Sequence, residues 1–421
     1  MKWILMLAAV LAGGAAAAQD RYGLPRAAPE AEGFAPDLGA RLRGAMQARV
    51  DQGLIPGALM AVARHGRVVA VEAVGWADVA HHRPVTPDTI YRLFSSTKAV
   101  TAAAALQLAD RGVIGLDEPA ARWLPALAEL RVYAAGDGEG MTTEPLARPI
   151  TVRDLLAHRA GFTYGAFGDS PVHRLLRERQ VGMGPVASRE EFIARLVQVP
   201  LLFQPGTRWE YGVSHDVLAA VIEKAAGMPF EAVLQRNIFD PLGLSDITFR
   251  VPENKQERLA IVYVLKDGKL ESRARSGAPQ FAARNAPPSG GGGLSSTAAD
   301  FLRFAQMLLN GGELEGVRLM SPRTVDMIKV NQVPAGGPSF GLGVGIEADP
   351  AATLTRGPVG SYGWSGAGQT HFWIDPTERI VGIFYTAALP YTIDRDTEMR
   401  TIVYGALHDW HRPPRQHAGM D

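Results

Sequence analysis

Cysteine is absent from all 421 residues. That excludes disulfides, zinc–thiolate sites, thiol nucleophiles and a lipidated N-terminal cysteine, so the fold must stand on its core alone. Net charge is absent as well, because 43 basic residues balance 43 acidic ones. No basic stripe calls for nucleic acid and no polybasic tract calls for a membrane surface, so neither partner is expected. Beyond the N-terminus no stretch offers the ~18 uninterrupted apolar residues of a membrane span. The glycine run Gly290–Gly293 has no lysine behind it. A phosphate loop needs that lysine, so the run reads as flexible backbone near a pocket. His81 and His82 fall in a polar loop, and His408, His411 and His417 surround a Pro-rich tail. None has a second cluster of ligand character nearby, and no metal, other cofactor or partner protein is expected.

The start of the chain reads as a secretory leader over residues 1–18. Lys2 supplies a positive end, Trp3 to Leu11 an apolar stretch too short to span a bilayer, and Ala16–Ala18 a small-residue cleavage site. Export to the periplasm or beyond follows as an expectation. Hydrophobic content of 47% is enough for a large core.

A helix begins at Asp37, its Leu38, Leu42, Met46 and Val50 recurring every four residues. Two β-rich runs, Gly57–Ala63 and Arg67–Trp76, meet at His65-Gly66, a hairpin signal. Residues 113–250 are punctuated by prolines and read as mainly helical, with a Gly-rich loop at Gly136–Gly140 and capping signals at Thr151 and Ser188. Strand-like runs return at Ile261–Leu265, His371–Ile374 and Arg379–Thr386, Thr297 caps a helix Ala298–Leu309, and Thr397–Trp410 supplies a last helix. The expected fold is α/β: an antiparallel sheet flanked by helices, built from residues 19–112 and 251–421, with an inserted helical domain at 113–250.

Ser95 and Lys98 stand at i and i+3 at the start of an alanine-rich helix, one turn apart on one face. A serine hydroxyl becomes a nucleophile when an adjacent base takes its proton, and a helix N-terminus favours the emerging anion. Lys98 is the one charge between Arg92 and Asp110, and the chain holds no other S-x-x-K. Tyr211 sits at a loop-to-helix junction, from which a phenol can point at a nucleophile. Gly363-Trp364-Ser365-Gly366-Ala367-Gly368, just ahead of a strand, can form a cleft wall and offer an amide to an oxyanion. It nearly reads G-x-S-x-G, but Ala367 fills the last position and a strand, not a helix, follows. His158 reads as part of a helix C-cap, His215 as a polar residue of a loop-helix junction, and Asp216 as an N-terminal helix charge.

Ser95-Ser-Thr-Lys98, Leu155-Leu-Ala-His158 with Gly161, Pro205-Gly-Thr207, Tyr211 and Trp364-Ser-Gly366, in this order, resemble the class C β-lactamase-like serine hydrolases. Within them the chain is most similar to the family VIII carboxylesterases, over about residues 37–410. The resemblance implies the β-lactamase and penicillin-binding-protein fold, with Ser95 as nucleophile, Lys98 and Tyr211 as its proton partners, and the amides of Ser95 and Ala367 as the oxyanion hole. Trp364 and Gly366 would border the substrate. Two departures narrow the activity. The lactam enzymes carry Y-x-N where this chain has Tyr211-Gly-Val213, and K-T-G where it has Trp364-Ser-Gly366. An indole cannot grip a carboxylate as that lysine does. Hydrolysis of short-chain, uncharged esters is therefore expected, with β-lactamase or D-amino-acid peptidase chemistry as the alternative. Either a Lys98-stabilised Tyr211 phenolate or a neutral Lys98 could be the base.

Overall fold

A computed structural model describes residues 22–182, 185–273, 286–353 and 356–410, without the side chains of 393–396. The expected leader 1–18, His411 and His417 lie outside the described residues.

The helix expected after Asp37 is α1 (Leu38–Asp51), whose Leu38, Leu42 and Met46 are buried. The hairpin follows as β1 (Gly57–Arg64) and β2 (Arg67–Asp78). Its turn residues His65 and Gly66 both have positive φ, 50° and 78°, as a two-residue turn matching the twist of its strands requires. A short β3 (Arg83–Pro84) extends the sheet, and the chain then enters α2 (Thr97–Asp110). Twelve of the fourteen α2 residues are buried, five of them alanines, which lets other elements close in on every side.

The regular structure described within 113–250 is mainly helical, yet its Gly-rich loop joins two strands, β4 (Arg131–Ala135) and β5 (Thr142–Pro145). Val132 is buried and bridges to Leu201, so tertiary pairing draws this segment into a hairpin. α3 (Val152–Leu156) opens on a capping box in which Thr151 and Asp154 exchange hydrogen bonds. α4 (Ser214–Ala226) runs beside α2. α5 (Ala298–Leu309) starts where Thr297 accepts from the Asp300 amide, as expected.

Four more strands complete the sheet: β6 (Gly345–Ile346), β7 (Tyr362–Ser365), β8 (Thr370–Asp375) and β9 (Ile380–Thr386). The motif around Trp364, expected just ahead of a strand, is thus itself partly strand. Gly363 permits this, because a Cβ there would collide with the Phe372 carbonyl of β8. The last helix, α6 (Ile393–Gly405), starts and ends before the expected Thr397–Trp410. It stops where the chain turns away to pair with the N-terminal side: the Ala35 amide bonds to the Ala406 carbonyl and Phe34 bridges to Leu407.

The seven-stranded sheet runs β6-β7-β8-β9-β1-β2-β3, antiparallel throughout, so both ends of the chain build it. Along β1 the side chains alternate between two cores. Ala58, Met60 and Val62 join α1 and α6 on one face. Leu59, Ala61 and Ala63 face α2, α5 and the helical stretch on the other. Among the described residues no helix is long and apolar enough to cross a membrane.

Candidate active site

Ser95 stands in a single 3₁₀ turn, Phe94–Ser96, that leads into α2. The turn is held from three sides. Leu93 donates its amide to the Leu294 carbonyl and accepts from the Thr370 hydroxyl, while Ser96 Oγ donates to the Thr370 carbonyl at 2.6 Å. Phe94 is fixed at φ 47°, a conformation that costs a non-glycine residue energy and persists where the surroundings impose it. Gly366 and Gly368 explain how: each lies so close that a Cβ would press on Leu93 or Phe94. The glycines of the Trp364 motif therefore seat the serine turn.

Lys98 is fully buried. Its Nζ lies 3.2 Å from Ser95 Oγ, 2.6 Å from the Gly291 carbonyl and 3.4 Å from the Tyr164 hydroxyl. The Gly291 peptide is fixed by Asp216, whose Oδ1 accepts from the Gly291 amide at 3.1 Å and from Ser289 Oγ at 2.6 Å. Asp216 is thus more than a charge at a helix start: it places the carbonyl that Lys98 uses. The glycine run is near a pocket, as expected, but it is there for close packing. A Cβ at Gly290 would meet the His215 carbonyl, and one at Gly291 would meet Asp216.

Tyr211 comes in just ahead of α4, half-buried, with its ring face 4.6 Å from Lys98 Nζ. Its hydroxyl accepts from Trp364 Nε1 at 3.3 Å. The structure therefore brings Ser95, Lys98, Tyr211 and Trp364 together, with Ser95 bonded to Lys98 and Tyr211 to Trp364. Gly212 lets the Tyr211 loop lie directly against the backbone of Phe162 and Thr163. Val213, where the lactam enzymes have asparagine, is wholly buried and offers the cleft no polar atom.

Sequence reasoning missed Tyr164. Its one local signal is a position between Gly161 and Gly165, and only folding brings it to Lys98 across 66 residues. Burial, the Asp216 carboxylate and the Tyr211 phenol push its pKa well above the usual phenol range. It stays a neutral phenol.

His158 closes α3 as part of its C-cap, as expected, whereas His215 differs from its expected role. The α3 C-cap is Ala157, and His158 follows it at φ 55° with its ring 4.8 Å from both Tyr211 and His215. Its Nδ1 accepts from the Gly212 amide at 3.4 Å. His215 is no polar junction residue, because α4 turns it into the core, fully buried. His158 Nε2 and both His215 nitrogens have no hydrogen-bond partner among the described residues. Burial and then neighbouring charge, from His215 and Lys98 for His158 and from Lys98 for His215, hold both rings well below the usual imidazole range. They are neutral packing behind Lys98.

Two cavities meet at Ser95, Phe167, Tyr211 and Ala367. The larger, about 550 Å³, runs along β7 past Trp364 and Gly366; the smaller is about 210 Å³. Ser365 also opens onto the larger one, its Oγ 2.6 Å from His371 Nδ1 across the β7–β8 pairing. Ala367 thus lies on the same rim as the serine turn.

The family model for beta-lactamase matches residues 42–404. Esterase EstB of Burkholderia gladioli is 34% identical, over 83% of this chain and 89% of its own. Protein Rv1367c of Mycobacterium tuberculosis is 32% identical, over 81% and 88%. Among solved structures, that of EstCE1, described as a hydrolase with promiscuous acyltransferase activity, superposes with a TM-score of 0.76 at 28% identity, covering 88% of this chain and 99% of its own. The matched segment takes in the serine turn, both tyrosines and the Trp364 strand, and the chain belongs to the beta-lactamase family.

Proposed function

We propose that this protein is a serine hydrolase that cleaves carboxylic esters through an acyl-serine intermediate. The observation that carries the reading is the set of three contacts around Lys98 Nζ, one of them to Ser95, which opens onto an aromatic cavity. An ammonium has three hydrogens, one for each partner. A neutral amine has two, for the Gly291 carbonyl and the Tyr164 hydroxyl, and a lone pair left for the Ser95 proton. One geometry serves both protonation states.

Lys98 takes the Ser95 proton as Oγ attacks the ester carbonyl carbon. The negative charge that develops on the carbonyl oxygen is held by the amides of Ser95 and Ala367; losing one such donor typically costs about 2.7–4 kcal/mol of barrier. As the C–O bond to the alcohol breaks, Tyr211 gives the leaving alkoxide its proton, and the proton on Lys98 restores the pair. Water then adds to the acyl-serine carbonyl, Lys98 and Tyr211 relay its proton to Ser95 Oγ as the bond from the acyl carbon to Oγ breaks, and the acid leaves. Tyr164 stays a phenol and orients Lys98. The similarity to proteins named as esterases supports this reading, as does the absence of a cation at position 364. The Ser95 end suits short uncharged esters.

A hydrolysis panel tests it: nitrophenyl esters of increasing chain length beside nitrocefin and a D-alanyl peptide, with Ser95→Ala and Ser365→Ala as controls. Ester turnover that vanishes in Ser95→Ala, with the melting temperature kept, is the expected result. Lactam or peptide turnover without ester turnover overturns the substrate class. Activity lost in Ser365→Ala and kept in Ser95→Ala overturns the nucleophile. Residues 1–18 are read as an export leader, which N-terminal sequencing of the protein recovered from the periplasm checks: a start at Met1 rejects it.

A further inference from the structure

We infer that the larger cavity ends in an anion subsite built on Arg400, so that the esters it accepts include ones carrying a carboxylate at the end remote from the scissile bond. This rests on the hydrolase reading for the chemistry at Ser95 and adds a substrate class to it.

Arg400 lies on α6, 8% exposed, and lines the same cavity as Ser95. Its guanidinium stacks 5.7 Å from the Trp373 ring and donates from Nη2 to Ser361 Oγ at 3.3 Å. Its Nε has no partner, and among the described residues no carboxylate pairs with it. The buried acids nearby make no ion pair with it, although Glu347 lines the same cavity. Asp375 accepts from the Tyr404 hydroxyl and two amides, and Glu347 accepts from Thr353 Oγ1. A buried charge outside an ion pair is destabilising, and a guanidinium is suited to binding a carboxylate through paired N–H groups. The cavity gives such a group access. Gly357 leaves the room, since any side chain there would meet Arg400 Nη2.

The position sets the reach. Ser361 marks the Arg400 end, while Gly366 presses on the serine turn at the other. Three residue steps of β7, from Tyr362 to Ser365, span roughly 10 Å. Short esters therefore occupy the Ser95 end without touching Arg400, and a longer chain with a terminal carboxylate bridges both. Glu347 faces the same cavity and opposes a second negative group there.

The test compares kcat/KM for nitrophenyl half-esters of straight-chain dicarboxylic acids with the same compounds methyl-capped at the far end. Esters of ω-hydroxy acids place the carboxylate on the alcohol side instead. In the wild type the anionic-to-capped ratio rises with chain length in one series. In Arg400→Gln that ratio falls about 10- to 100-fold, mainly through KM, as expected for a lost charge-assisted contact. Arg400→Lys retains part of it, and short neutral esters are turned over as before. A ratio flat with length in both series overturns the subsite, and so does an equal loss on every substrate in Arg400→Gln at unchanged melting temperature. Calorimetry on Ser95→Ala, with and without Arg400→Gln, reads binding of the same half-esters apart from turnover. Weaker binding with Arg400→Gln supports the subsite even if no ester is hydrolysed, and equal binding rejects it.

Discussion

The two ends of the larger cavity are built differently. At the Ser95 end the groups proposed to react are held by others: Lys98 has three partners, the Gly291 carbonyl is set by Asp216, and Tyr211 is held by Trp364. Glycines at 212, 291 and 366 bring the backbones close enough that little can shift. At the other end, Arg400 has one hydrogen bond of 3.3 Å and a stacking contact. An end saturated by its own protein is preorganised for a reaction, and an end left short of partners is organised for a ligand. Variants near Ser95 should then move kcat, and variants at Arg400 should move KM.

The largest effect expected is at Lys98 and Tyr211. Lys98→Ala and Tyr211→Phe should each lower kcat by about 100- to 10,000-fold, the range of a general acid or base. The double variant should be little worse than the poorer single one, because groups sharing a proton-transfer task act as a unit. Multiplicative losses would place them in separate steps. Tyr164→Phe removes an acceptor from Lys98 but no proton carrier, and a fall of about 10-fold sharpens the contrast. A fall as large as that of Tyr211→Phe would show Tyr164 to be an acid or base itself.

What the sequence made legible was local or rhythmic. Ser95 and Lys98 could be paired because one helix turn joins them, and the β1–β2 hairpin because His65-Gly66 between two β-rich runs announces a turn. The resemblance gave definite roles to Tyr211 and Trp364, which folding brings to the same cavity. Tyr164 and the Gly291 carbonyl reach Lys98 across 66 and 193 residues, and no spacing encodes such meetings. His215 looked polar and solvated, yet α4 packs it against His158 in the core. Gly363 looked like loop, and became strand because β8 approaches too closely for a side chain.

Trp364 gives the next effect down. Its ring packs edge-on to Phe340 at 5.0 Å, and its Nε1 donates to Tyr211. Trp364→Phe keeps an aromatic wall and loses the donor, so kcat should fall about 10-fold with KM nearly unchanged. Trp364→Ala removes the wall as well, and kcat/KM should fall about 10- to 1000-fold. If Trp364→Phe raised KM and left kcat alone, the indole would be a binding surface without a hold on Tyr211.

The smallest effect concerns stability, and it sets the saturated contacts of Lys98 against the unsatisfied rings behind them. His158 and His215 are held below the usual imidazole range by burial and by charge. Above about pH 6.5 the rings are neutral in folded and unfolded chains alike and contribute no pH dependence. Below it, unfolded imidazoles take up protons that the folded rings refuse, so stability falls as pH falls, by about 1.4 kcal/mol per pH unit for each ring. Asp300 works against this. Burial raises it to about 6, so between there and its ordinary 3.8 the folded chain takes up the proton first and gains stability as pH falls. Whole-protein curves mix these contributions, and a difference between variants isolates one. His215→Leu replaces a ring with two unpartnered buried nitrogens by an apolar side chain, which can be neutral or stabilising near pH 7. Between pH 6.5 and 5 its unfolding free energy, measured by denaturant titration, should decline less steeply than that of the wild type by about 1.4 kcal/mol per pH unit. Parallel curves would mean that His215 protonates as readily in the folded chain as in the unfolded one, and that the space behind Lys98 is open to water.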